Sequence, residues 1–262
     1  MRTIVSLIVI CGTVVCASRD SIHRAAPHAI GYDGKKIGGV WYHAVIANLD
    51  SENVKASGIV NAHMGRSESF WTMLARSRPT VAISGTFFDI RSARPIGSIV
   101  IEGDGVIDGY HGSCLAIDYF NKAIILDPKW GRHFDMTNYR YLMRGGLRLV
   151  TGGKIGVYPR AQRFRDPRVW SRARRIAVGV TANNKLVIVA TSGNVQLRSL
   201  ARAIRSFGAR NAIALDGGSS AALYYRGRVL MHPQRRLTNL LTLVESPGVA
   251  WAPLPIVRAV HK

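Results

Sequence analysis

Twice along this 262-residue chain a short apolar run stops abruptly at glycine and polar residues. The first is Thr80-Val81-Ala82-Ile83-Ser84, followed by Gly85-Thr86-Phe87-Phe88-Asp89. The second runs from Asn211 through Leu215 into Asp216-Gly217-Gly218-Ser219-Ser220. Runs this short between turn residues read as strands covered on both faces. Glycines just beyond such a strand let the backbone approach a ligand closely, and successive glycines free N–H groups to point at an anion. A tight turn accounts for a lone Gly-Gly. It does not account for Asp216, because a carboxylate between an apolar strand and two glycines is partly buried and needs a partner.

The rest of the chain supplies strands and two helices without internal repeats. Val40 to Asn48 alternates loosely as a strand. Ser67 is placed to cap a helix through Phe70, Met73 and Leu74, with Pro79 just past its end. Ser98–Ile101 and Val106-Ile107 flank the glycine-bearing turn of a hairpin, and Leu115–Tyr119 with Ala123–Leu126 form another. Arg175–Val180 and Leu186–Thr191 are strands on either side of Asn183-Asn184. Leu197, Leu200, Ala201, Ile204 and Phe207 recur at helical spacing, and Gly208 ends that helix. Leu223–Tyr225 and Val229–Met231 make a further hairpin. No proline- or serine-rich linker divides the chain. The expectation is a single α+β domain over residues 18–262, with a twisted mixed, largely antiparallel sheet flanked by helices.

Residues 1–17 read as a cleaved signal peptide: Arg2, an apolar stretch from Thr3 to Val15, then small residues at Val15-Cys16-Ala17. A lipid anchor on Cys16 is the competing reading, but Val14-Val15 lack the small residue that usually precedes such a cysteine. The mature protein is expected to be secreted or periplasmic, with no stable membrane insertion, since no apolar run of spanning length follows. Cleavage leaves Cys114 as the one thiol. It stands in an apolar strand and is expected to pack in the core.

The charge is strongly positive, with 36 Lys+Arg against 15 Asp+Glu, and seven arginines fall between Arg160 and Arg175. Such a run can meet polyanions non-specifically. No nucleic-acid-binding signature or regular aromatic interleaving accompanies it, so a solvated loop is the expectation, with a few arginines facing phosphate. No zinc spacing, His-Glu-x-x-His or dinucleotide glycine pattern is present. No cofactor is called for. A divalent metal at the acidic groups is left open, although Asp104 and Asp108 lack a dense acidic loop.

Five blocks in order resemble the phosphodiester glycosidase family. Leu215-Asp216-Gly217-Gly218-Ser219-Ser220 is similar to its signature, and Ser84-Gly85-Thr86-Phe87-Phe88 to its Asn-Gly-x-Phe-Phe element. Pro95-Ile96-Gly97, Gly145-Gly146 through Gly152-Gly153, and Arg175-Ile176-Ala177-Val178-Gly179 match three more. The resemblance covers about residues 40–245. It implies a hydrolase acting on a sugar-1-phosphodiester in an envelope or extracellular glycan. A non-catalytic binder of anionic glycans on the same fold is the alternative.

Two departures stand out: Ser84 replaces the family's asparagine, and Thr191-Ser192-Gly193 lacks a carboxylate that many members carry. The expected catalytic residues are Asp216 and Ser220. Arg175 is expected to hold phosphate through its planar fork. Ser84, Gly85, Phe88, Asp89, Gly217, Gly218 and Ser219 complete the expected substrate site. Asp89 is a candidate second carboxylate, and so is Glu102, although a hairpin-turn glutamate is more often solvated.

Overall fold

The computed structural model describes residues 28–132 and 134–246. The expected leader, with Cys16 and its cleavage site, lies outside the described residues. Two sheets stack face to face. The larger has 11 strands, and its main path runs Ile30–Ile37, Val40–Asn48, Lys185–Val195, Ala173–Val180, Asn211–Ala214, Tyr139–Thr151, Gly97–Ile101, Asp104–Tyr110. The smaller has five strands in the order Arg228–Met231, Leu223–Tyr225, Val81–Ser84, Asn239–Glu245, Val54–Val60.

Strand periodicity decides which side chains meet between the sheets. Along Ala173–Val180, Ile176, Val178 and Val180 point into the inter-sheet core with Ile213, Leu215, Ile83, Leu241 and Leu243. The alternate residues Ala177, Ala212 and Ala214 face outward, where helix α2 (Leu197–Ser206) covers them with Leu200, Ala201 and Ile204. On the other side, helix α1 (Phe70–Ser77) lays Phe70, Met73 and Leu74 over Ala82, Ala222 and Leu240. Strands buried on both faces read as continuous apolar runs, which is why the site strands carry no alternation.

The expected α+β class is corrected by this arrangement. Half of the described residues are in strands and 11% in helices, so the molecule is a β-rich sandwich. The sheet is also not mixed: each strand pairing among the described residues is antiparallel. Helix α1 is capped by Ser69 rather than Ser67, with the Thr72 N–H donating to Ser69 Oγ at 3.1 Å. Cys114 is fully buried, and burial pushes its thiol up to about 12. Among the described residues no helix is long and apolar enough to cross a membrane.

Candidate functional site

The two abrupt strand ends belong to opposite sheets, and the fold brings them together. The Asp216 N–H donates to the Gly85 carbonyl at 2.9 Å, and Ser84 Oγ donates to the Asp216 carbonyl at 2.9 Å. The glycines at this joint answer mainly to packing. A Cβ on Gly85 would lie 1.9 Å from Asn239 Oδ1, and one on Gly217 would lie 2.7 Å from the Arg174 carbonyl. Gly218 is different: it holds φ at 58°, in the left-handed region, and opens the short turn that delivers Ser219 and Ser220.

Asp216 is half-buried at this joint, and removal of its carboxyl from water raises the pKa to about 7. The Ser220 hydroxyl, Arg235, the Gly217 N–H and Arg175 pull in the opposite direction without overcoming burial. Ser220 Oγ is itself buried beside the carboxyl, and its hydroxyl favours the ionised form. Arg175 enters from the neighbouring strand, whose Ile176 carbonyl accepts from the Leu215 N–H at 3.0 Å. The Arg175 side chain is 2% exposed, and burial lowers its pKa to about 10, so it stays cationic at neutral pH. One of its terminal nitrogens donates to the Ser171 carbonyl, while its Nε is buried with no partner. Arg175 and Asp216 influence each other's charge without forming a direct ion pair.

These groups open into a cleft of about 800 Å³. Asp216, Gly217, Gly218 and Ser219 line it together with Arg175, Phe88 and Asp89. Ser84, Gly85 and Ser220 stand behind that surface and brace it. Asp89 is exposed, and its Oδ1 accepts from the N–H groups of Arg91 and Ser92 and from Ser92 Oγ, so it holds its own turn together. Glu102 is not among the lining residues; it pairs with Lys55 at 2.7 Å on a separate hairpin. Thr191 donates from Oγ1 to the Trp41 carbonyl at 2.8 Å. Among the described residues no group of three or more acidic, histidine or cysteine side chains is placed to hold a metal ion.

Several lining residues escaped the sequence reading. Arg235 sits 4.5 Å from the Phe88 ring centroid and its charge reaches Asp216, but nothing local marks it before the strand Asn239–Glu245. His111 meets Phe164 edge-on at 4.5 Å, and burial holds its pKa below the ordinary value. Arg163, Arg165 and Arg168, each solvent-exposed, stand at the edge of the cleft and line it.

Residues 77–244 match the phosphodiester glycosidase family. The chain belongs to that family. A hypothetical protein from Synechocystis has a similar fold at 14% identity, with a TM-score of 0.72 over 83% of this chain and 62% of its own, so this chain spans less than two thirds of that structure. The zebrafish N-acetylglucosamine-1-phosphodiester alpha-N-acetylglucosaminidase catalytic domain, auto-inhibited by its pro-peptide, is similar at 19% identity. Its TM-score is 0.66 over 83% of this chain and 82% of its own. No curated protein matches the chain. The family supports a hydrolase of glycosyl phosphodiesters. At these identities the structural likenesses establish the fold.

Proposed function

We propose that this family member hydrolyses the bond between the anomeric carbon of a sugar and the oxygen of a phosphodiester, with Asp216 as the catalytic carboxylate. The observation that carries this reading is a carboxyl raised to about 7, beside a buried arginine whose Nε has no partner, in one open cleft. Breaking the anomeric bond develops positive charge on the sugar and negative charge on the departing phosphate. Arg175 and Arg235 hold the phosphate and gain interaction as its charge grows, which is the form of binding that lowers a barrier. A phosphate monoester leaves readily, so strong acid assistance is unnecessary. Ionised Asp216 instead stabilises the developing cation and accepts the proton of the water that adds to the anomeric carbon. The products are the free sugar, the phosphate monoester and a proton. Ser220 orients the carboxyl.

The substrate is a phosphorylated glycan of an envelope or extracellular polymer, and the protein is exported as one domain after loss of residues 1–17. Support for the export comes from the leader pattern, and for the substrate from the family and the cationic cleft. Purified protein incubated with a panel of glycosyl phosphodiesters is expected to release sugar and phosphate monoester in equal amounts. An absence of release across N-acetylglucosamine, glucose and mannose phosphodiesters would refute the reading.

A further inference from the structure

A second cleft, of about 720 Å³, lies beside the first. Its volume is within the range of about 300–1,000 Å³ usual for small-molecule sites. Arg163 lines both clefts. That residue holds φ at 64°, a left-handed backbone uncommon for a side chain of its size, and its guanidinium lies 4.5 Å from the Trp130 ring centroid. Trp130 and Tyr158 line the second cleft and are 57% and 64% exposed. Large aromatic side chains exposed inside a cleft suit flat, partly apolar ligand surfaces such as the faces of a pyranose ring.

The polar fittings give the ligand a charge. Arg148 is largely buried and pairs with Asp127 at 2.7 Å, and Ser113 donates to the other oxygen of Asp127 at 2.6 Å. Its Nη1, however, is buried and has no hydrogen-bond partner. Gln162 fixes the strand that carries it by exchanging two hydrogen bonds with the Arg148 backbone, at 2.6 and 3.1 Å. Lys154 and Arg163 add positive charge, leaving Asp127 as the one acidic residue in the lining. A buried donor without an acceptor is costly in the free protein and favourable once an anion supplies the acceptor.

We infer that the second cleft is a subsite for the neighbouring sugar of an anionic glycan chain, so that the substrate is a polymer of sugar phosphates held across both clefts. This rests on the function proposed above, which it deepens by adding a binding region that does no chemistry. The ring lies against Trp130 and Tyr158, and its phosphate or carboxylate meets Arg148 Nη1 and Lys154. A peptide partner is disfavoured by the continuity with a cleft that takes a sugar phosphate.

Two probes test it: the methyl phosphodiester of N-acetylglucosamine, and a trimer of N-acetylglucosamine 1-phosphate joined through phosphodiesters. Binding is measured by calorimetry on the full protein carrying Asp216→Asn, and turnover on the protein with Asp216 intact. The trimer is expected to bind about tenfold more tightly than the monomer, because the second contact is intramolecular once the first is made. Trp130→Ala and Tyr158→Ala, each made at an exposed position, should abolish that advantage and leave monomer turnover unchanged. Equal affinity for both probes, or an advantage that survives both substitutions, would overturn the subsite. The two readings fail separately. Monomer turnover with no trimer advantage keeps the proposed function and removes the subsite. Trimer binding that depends on Trp130, with no turnover of either probe, keeps the subsite and removes the proposed chemistry.

Discussion

Replacing Asp216 with asparagine separates two roles that the carboxyl combines. Moving a carboxyl from its ordinary 3.8 to about 7 corresponds to roughly 4 kcal/mol of disfavoured ionisation in the folded protein. Water entering the open cleft screens part of that cost, which leaves about 2 kcal/mol. The direction follows from proton binding. The folded protein keeps a proton that the unfolded chain releases, so the group's contribution to stability is complete below 3.8 and is lost as pH rises through about 7. Asparagine keeps the shape and carries no charge to bury. Urea unfolding should therefore show the two proteins about equally stable near pH 4, and the variant more stable by about 2 kcal/mol near pH 8. Steady-state turnover should fall by about a hundredfold or more, as expected for loss of a general base. A variant less stable near pH 8 would make Asp216 a brace whose charge the fold requires. A variant with undiminished turnover would end its catalytic role.

The pH dependence of turnover should follow the same carboxyl, rising with pH and levelling off above about 7; a flat profile through that range would contradict Asp216 acting in its ionised form. Arg175→Lys keeps the charge and loses the planar fork, so both substrate affinity and turnover should drop by about tenfold or more in steady-state kinetics. Gly85→Ala places a carbon 1.9 Å from Asn239 Oδ1 and should cost about 1–3 kcal/mol in urea unfolding. Changing Arg163, Arg165 and Arg168 together to glutamine should raise KM severalfold, most at low salt, and leave stability unaltered. An unchanged KM would return those arginines to a purely solvated role.

Local features of the chain were legible where chemistry and short-range geometry coincide. Asn121 and Asn184 both adopt left-handed backbones at the turns their sequence marks, with φ of 61° and 49°. The amphipathic pattern of α2 places its apolar stripe on the large sheet as its spacing requires. What the sequence concealed was pairing between distant segments. Tyr139–Thr151 is one long strand, although Gly145-Gly146 look like a turn in isolation. Gly145 holds φ at 114°, which favours glycine, and neighbours across the fold add a second constraint: a Cβ on Gly145 would strike Thr86 Oγ1, and one on Gly146 would strike Ile213. Val54–Val60 includes lysine, serine and glycine and shows little strand signal, yet it closes the smaller sheet against Asn239–Glu245. With such strands out of sight the helices weighed too heavily, which produced the α+β expectation. The same limit explains Arg235, whose place beside Phe88 depends on contacts far apart in the chain.

The hydrogen bond from Ser84 to Asp216 joins residues 132 positions apart. Closing so large a loop is entropically unfavourable and belongs to the later stages of folding, after local hairpins have formed. Until then Asp216 is an ordinary solvated acid, and Phe88 with its attached loop belongs to a separate, unattached layer. Docking of the layers withdraws the carboxyl from water, while Arg175 comes from the neighbouring strand of Asp216's own sheet. Burial of the carboxyl and closure of the sandwich are thus a single event.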